Sequence, residues 1–339
     1  MRTLGKTGLV VSEVGLGGIP IQRANEKIVR NMLVEMINRN MNIIDTARGY
    51  TVSESYLGNA LKGLRDKFII CTKSMARSYD AMREDISKSL SDLQTNYIDL
   101  YQMHNVKTGE DYSGALLALK EAVIEGKVGH IGVTSHSYEF LMSIVDKGIF
   151  ETIQFPYNII ETKAEDLFDK AKNNNLGIIV MKPLAGGAIS NAKTALKFIL
   201  NNQNISCAIP GMASVNEVII NSEVKSGEYS IDELNYINEI RNELDEDFCR
   251  RCGYCLPCSV GIDIPSNFLF EGYLKRYDLK DWAVSRFNTL AVKPDKCIEC
   301  GLCEKRCPYN LKIIKKLKRV KENFQWQIFV LPQVIYRQD

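Results

Sequence analysis

The chain has 339 residues, 45% of them hydrophobic and 25% charged, with a formal net charge of +2. That length holds a barrel of the usual size with room for a small second domain, and the composition is ordinary for a globular protein. So balanced a charge gives no reason to expect nucleic acid or a membrane surface as partner, and no run approaches the roughly 18 apolar residues of a membrane span.

Taken in order, short apolar runs alternate with longer amphipathic ones from residue 10 to 225. The strand-like runs are VSEVGLGG (11–18), NIID (42–45), KFIICTK (67–73), YIDLYQM (97–103), HIGVT (130–134), TIQF (152–155), LGIIVMK (176–182) and SCAIP (206–210). Between them lie stretches such as EKIVRNMLVEMINRN (26–40) and AMREDISKSLSDLQ (81–94), whose apolar residues recur at helical spacing. Eight strand–helix units in succession predict a closed parallel (β/α)8 TIM barrel. GLGG at 15–18 lacks the full spacing of a dinucleotide-binding glycine loop, so an open doubly wound sheet is disfavoured.

Active sites of such barrels lie at the C-terminal ends of the strands. The order of elements puts Asp45 and Tyr50 after the second strand, Lys73 at the end of the third and His104 just past the fourth. An acid, a phenol, an amine and an imidazole therefore meet on one rim. His130 precedes its strand and is expected at the opposite end in a structural role. His136 follows the fifth strand, either touching a ligand or satisfied within its loop. Cys71 and Cys207 sit in apolar runs and read as small buried hydrophobes.

Eight of the ten cysteines fall in two clusters, Cys249-x2-Cys252-x2-Cys255-x2-Cys258 and Cys297-x2-Cys300-x2-Cys303-x3-Cys307-Pro308. The second has the bacterial-ferredoxin spacing, in which three thiolates cap one 4Fe-4S cluster and the fourth reaches its neighbour. Crossed in this way, Cys249, Cys252, Cys255 and Cys307 hold one cluster, and Cys297, Cys300, Cys303 and Cys258 the other. The first motif is one residue short before its last cysteine, so the spacing fixes the number of clusters better than the pairing. Tetrahedral zinc has no use for the third closely spaced thiol, and disulfides need an oxidising compartment. The opening MRTLGKTGLVVSE has no apolar signal-peptide core, and a cytoplasmic setting is expected.

Lys312, Lys315, Lys316, Lys318, Arg319 and Lys321 form a basic run that suits either an acidic electron carrier or the wet face of an amphipathic helix with Ile313, Ile314, Leu317 and Val320 beneath. The helix face is the preferred reading. The apolar ending FQWQIFVLPQVIYRQD is expected to fold back onto the body or to form a subunit contact.

Six segments together resemble the aldo-keto reductases: IIDTARGYTVSESYLGNAL, ICTKS, YIDLYQMH, QFPYNII, VMKPLAGG and AIPGMASVNEVIIN. With the cysteine-rich tail, the chain is similar to the iron–sulfur branch of that family. The resemblance implies a barrel over 1–245 and a small, mainly helical ferredoxin-like domain with two 4Fe-4S clusters over 246–322, while the apolar tail over 323–339 departs from the family pattern. It implies a catalytic tetrad of Tyr50, Asp45, Lys73 and His104, with Tyr50 as general acid/base. It also assigns Thr134 or Ser135, with Gln154, to the nicotinamide carboxamide, puts Tyr157 near the ring-stacking position, and places Pro183 and Leu184 where the pyrophosphate passes. Pro210, Gly211, Met212, Glu217 and Asn221 fall to the adenosine end. Residues 206–224 hold no Lys or Arg to pair with the 2′-phosphate of NADP, which points to NAD(H) over NADP(H). The expected function is NAD(P)H-dependent interconversion of a small-molecule carbonyl and its alcohol. The alternative is an electron-transfer protein in which the clusters act and the barrel is a scaffold.

Overall fold

The computed structural model describes residues 1–244 and 247–328, with side chains to residue 325. The chain divides into two compact units, Met1–Asn238 and Glu239–Asp339.

The first unit opens with an antiparallel hairpin, β1 (Arg2–Thr3) and β2 (Val10–Val11), in register Arg2 to Val11. The run at 11–18 therefore breaks into β2 and the first barrel strand, β3 (Leu16–Gly17). Then α1 (Glu26–Asn38), β4 (Ile43–Asp45), α2 (Ser53–Ala60), β5 (Ile69–Ser74), α3 (Tyr79–Asp92), β6 (Ile98–Met103) and α4 (Ser113–Ile124) follow in turn. Next come β7 (Val128–Thr134), α5 (Tyr138–Ile144), β8 (Thr152–Pro156), α6 (Glu165–Asn173), β9 (Gly177–Met181), α7 (Ala192–Leu200), β10 (Cys207–Ala208) and α8 (Val215–Ser222). Strands β3 to β10 form one parallel sheet in sequence order. Bridges from Val14 to Ala208 and from Gly17 to Gly211 join its two edges, so the sheet closes into the expected barrel.

The local causes are simple. Helix α1 buries Val29, Met32, Leu33 and Met36, a single helical face, and its Asn25 cap accepts a hydrogen bond from the Ile28 amide at 2.9 Å. Gly17 must be glycine because a Cβ there would stand 2.7 Å from the Ile209 carbonyl oxygen, in the seam that closes the barrel. The hairpin places Leu4 and Val11, both fully buried, in a cluster with Ile43, Cys71, Leu100, Ile179 and Cys207. Both cysteines are thus core residues, and burial pushes their thiols up. His130 lies within β7, not before it, and pairs with Glu151 at 2.9 Å.

Helix α9 (Ile231–Leu244) carries the chain out of the first unit. The second unit contains α10 (Ile264–Lys275), α11 (Lys280–Asn288), α12 (Leu302–Arg306) and α13 (Ile313–Ile328). Its core includes Phe268, Phe287, Leu317, Val320 and Phe324, with the Phe287 and Phe324 rings stacked at 4.0 Å, and Cys255 and Cys303 belong to it. The tail expected from residue 323 does not begin there, because α13 runs on to Ile328 with Phe324 buried. The apolar ending beyond 328 lies outside the described residues. Among the described residues no helix is long and apolar enough to cross a membrane.

Candidate active site and cysteine cavities

At the C-terminal end of the barrel, Asp45 closes β4 and Lys73 sits one residue before the end of β5, at 2% and 1% exposure. The Lys73 ammonium donates to Asp45 Oδ2 and, at 2.8 Å, to the Thr46 carbonyl. Gln102 Nε2 donates to Asp45 Oδ1 at 3.1 Å. Burial raises the Asp45 carboxyl above its ordinary range, and the Lys73 charge with the amides of Gln154 and Gln102 pulls it back.

Tyr50 stands on the loop between β4 and α2. Its amide donates to the Ala47 carbonyl at 3.0 Å, and its carbonyl accepts from the Ser53 amide at 2.9 Å. The Lys73 Nζ is 5.2 Å from the centre of the Tyr50 ring, and His104 meets that ring edge-on at 6.1 Å. The four residues expected to converge do so. His104 is tied to the end of β5 by its amide, 2.8 Å from the Ser74 carbonyl. Burial, then the charges of Lys73, Lys182 and Arg77, holds its imidazole well below the usual histidine range, so the ring is neutral. Its Nδ1 is buried without a hydrogen-bond partner.

The Tyr50 loop is braced from outside the tetrad. Arg48 donates to Glu54, which is 1% exposed, and to Asp92 at 2.6 Å, while the Thr72 hydroxyl donates to Glu54 at 2.6 Å. Thr51, next to Tyr50, has a left-handed backbone (φ 44°), a rare conformation for a β-branched residue. Asn105 (φ 54°) and Lys182 (φ 57°) share that conformation just past β6 and β9. His136 links them, its Nδ1 2.9 Å from Asn105 Oδ1 and its Nε2 bonded to the Lys182 ammonium. The sequence reading passed over Lys182, whose only signal is its place at the end of a barrel strand.

The residues expected to hold nicotinamide divide. Gln154 is buried with its Oε1 unpartnered. Thr134 accepts from the Asn105 amide at 2.8 Å, and Ser135 donates to the Val106 carbonyl at 2.6 Å, so both hydroxyls hold the loop after β6. Tyr157 is a correction. Its ring stacks on Phe198 at 5.6 Å, meets Phe168 edge-on at 5.3 Å and is 2% exposed, and its hydroxyl donates to Glu165 at 2.9 Å, so it is a core residue with no free face for stacking. Pro183 and Leu184 open the turn after β9, with Pro183 buried. Pro210, Gly211 and Met212 line the seam beside Gly17, and Asn221 is buried in α8.

Glu217 closes a capping box. It accepts from the Ala213 amide at 2.7 Å and the Ser214 hydroxyl at 3.1 Å, while Ser214 accepts from the Glu217 amide at 3.2 Å. Arg23, nearly two hundred residues earlier, approaches the same carboxylate at 3.9 Å. The segment therefore has a nearby cation that sequence proximity could not reveal.

In the second unit two cavities are lined by cysteines. One, of about 310 Å3 including its open mouth, is bordered by Cys249, Cys252, Cys255 and Cys307. The other, of about 350 Å3, is bordered by Cys258, Cys297, Cys300 and Cys303. These are the two sets that the crossed spacing pairs. Among the described residues no group of three His, Cys, Asp or Glu side chains closes around a single metal ion. Thiols spread around a cavity suit a four-iron cubane, which is larger than one ion. The basic run is the wet face of α13, with Lys312, Lys315, Lys318 and Arg319 exposed over buried Ile313, Leu317 and Val320; Lys318 pairs with Glu299 at 2.7 Å and Arg319 forms a two-pronged bond to Glu271, and Lys316, at 5% exposure, is buried and pairs with Asp247 at 2.7 Å.

Comparison with known proteins agrees with both units. Residues 13–194 match the model of the aldo/keto reductase family, and residues 248–312 match that of the 4Fe-4S dicluster domain. L-galactose dehydrogenase of Arabidopsis thaliana is 28% identical over 272 residues, covering 64% of this chain and 85% of that protein. The NADH-specific methylglyoxal reductase of Escherichia coli is 26% identical over 225 residues, covering 56% and 69%. A holo-form aldo-keto reductase from Bacillus halodurans superposes with a TM-score of 0.63 over 70% of this chain and 95% of that one, at 24% identity, a likeness of fold.

Proposed function

The chain belongs to the aldo/keto reductase family and carries a 4Fe-4S domain, and on that premise we propose that its barrel reduces a small carbonyl compound, or oxidises the alcohol, by nicotinamide-dependent hydride transfer. The observation that carries this reading is the tetrad: a Lys73 ammonium locked by Asp45 beside a Tyr50 ring that faces a neutral His104. Bound nicotinamide supplies or accepts the hydride.

This chain's residues handle the proton. As negative charge develops on the carbonyl oxygen, the Tyr50 hydroxyl donates to it. An ammonium beside a phenol favours the phenolate, so Lys73 eases the loss of that proton, and Asp45 keeps the amine fixed and charged. His104, being neutral, has one ring nitrogen able to donate to the same oxygen and orient it. The unpartnered Oε1 of Gln154 suits a carboxamide N–H2, since a buried acceptor without a donor is costly to leave.

In the second unit each four-cysteine cavity is assigned one cubane, with the cysteines as ligands.

Relatives named for methylglyoxal reduction support a small aldehyde as substrate. NAD(H) remains the favoured cofactor, because the adenosine-end segment 206–224 has no Lys or Arg of its own, although Glu217 serves as a helix cap and Arg23 beside it narrows the margin. The test is an anaerobic screen of small aldehydes and ketones with NADH and NADPH, together with fluorescence titration of both cofactors. Reduction with NADH binding at least as tightly as NADPH is expected. No turnover of any carbonyl would remove the reductase reading, and a clear preference for NADPH would remove the choice of cofactor.

A further inference from the structure

The cavity bordered by Cys249, Cys252, Cys255 and Cys307 contains a feature that four thiolate ligands do not explain. Arg251, on its wall, has its Nε and Nη2 atoms buried without a hydrogen-bond partner. Its backbone is left-handed, at φ 58°, which sets it apart from the flow of the cysteine loop. A guanidinium is always charged and has five N–H donors, and burying such donors unpaired, on a wall that also carries Arg250, is unfavourable unless an anion completes the site. A cubane on four thiolates is that anion: it carries net negative charge, and one-electron reduction adds to it.

The other cavity has no such cation on its border. Its one charged border residue, Glu299, is already paired with Lys318 at 2.7 Å, and the hydroxyl of Ser259 lies 3.3 Å from Cys300 Sγ. Cluster potentials follow charge, hydrogen bonds to sulfur and exposure to solvent. A neighbouring cation with free donors stabilises the more negative, reduced state, whereas a carboxylate already neutralised by a lysine does not.

We infer that Arg251 is the counter-cation and hydrogen-bond donor of the cluster held by Cys249, Cys252, Cys255 and Cys307, and that it makes this cluster the first of the two to accept an electron. The inference rests on the reading that each four-cysteine cavity holds a cubane. It adds that the two are unequal and names the residue responsible.

The test is a dithionite titration of anaerobic full-length protein with redox mediators, followed by electron paramagnetic resonance and paired with iron and sulfide analysis. Wild-type protein should show two reduction waves. Arg251→Gln should move only the upper wave, to a lower potential, by at least about tenfold in the equilibrium constant, or about 59 mV for one electron. Arg251→Lys should recover part of the shift, and Ser259→Ala should leave the upper wave in place. If Arg251→Gln instead loses four irons together with the upper wave, and Arg251→Lys restores both, the assignment also holds. Unmoved waves with eight irons present, an equal shift of both waves, or iron loss that lysine does not rescue would each overturn the inference alone. Wild-type protein without iron and sulfide would overturn the inference together with the cluster reading.

Discussion

In the barrel, Lys73 finds Asp45 and the Thr46 carbonyl, Gln102 supports the same carboxylate, and Arg48, Glu54 and Thr72 brace the loop that carries Tyr50. In the C-terminal unit, four thiols border each of two cavities, and the Arg251 guanidinium leaves two buried donors unpaired. The first site is assembled by the protein's own hydrogen bonds. The second has its ligands in place but its electrostatics and part of its interior open, as befits a site completed by what it binds. Metal binding is folding energy where the apoprotein cannot fill its own core.

Removing the metal tests the contrast at its widest. Stripping iron with a chelator under reducing, anaerobic conditions should abolish hydrogen-exchange protection across residues 249–324 while the barrel helices keep theirs. Equal loss in both units would erase the distinction. Almost as large is the expected effect of Tyr50→Phe, which removes the proton donor with little change in volume. Hydride transfer should fall at least about a hundredfold while nicotinamide binding and iron content stay as in the wild type. A variant of near-full activity would show that the phenol does not serve as the acid.

How far the sequence could be read follows the same line. The barrel strands were legible because buried parallel strands are near-continuous apolar runs, and the tetrad because strand order fixes which residues share a rim. The cysteine sets were legible because thiolate spacing is dictated by the cluster. Arg23 was not, since its approach to Glu217 depends on tertiary folding. Tyr157 was misplaced because its position just past β8 does not tell whether the ring turns to the ligand or, as it does, to Phe168 and Phe198. The Ser214–Glu217 capping box could have been found from its S-x-x-E spacing, which offers a structural role for a carboxylate otherwise read as a selector of cofactor. Two very short strands, β1 and β2, gave too little periodicity to see.

Two smaller effects sharpen the claim that the barrel site is self-supporting. Glu54→Ala leaves Arg48 without its buried partner and should destabilise the barrel by about 2–3 kcal/mol in chemical denaturation, with Tyr50 activity reduced alongside. A change below about 0.5 kcal/mol would mean that the brace is incidental. The smallest effect concerns His104, whose folded value is held below the unfolded one of about 6.5. Its contribution is therefore present above that pH and is lost as pH falls through it, because the unfolded state takes up the proton first. Wild-type barrel stability should fall between pH 7 and 5 more steeply than that of His104→Gln, by up to about 1.4 kcal/mol per pH unit. Parallel curves would show that the imidazole is not held neutral.

The central claim is that carbonyl reduction runs by hydride on the barrel rim and not by single electrons through the clusters. It is tested most directly by turning over a reducible aldehyde with NADH deuterated at C4 on the transferred face, in ordinary water, and examining the alcohol by mass spectrometry. Direct transfer predicts that the product's carbinol carbon carries the deuterium. An unlabelled carbon, its hydrogen drawn from solvent, would contradict the account and return the clusters to the centre of the chemistry.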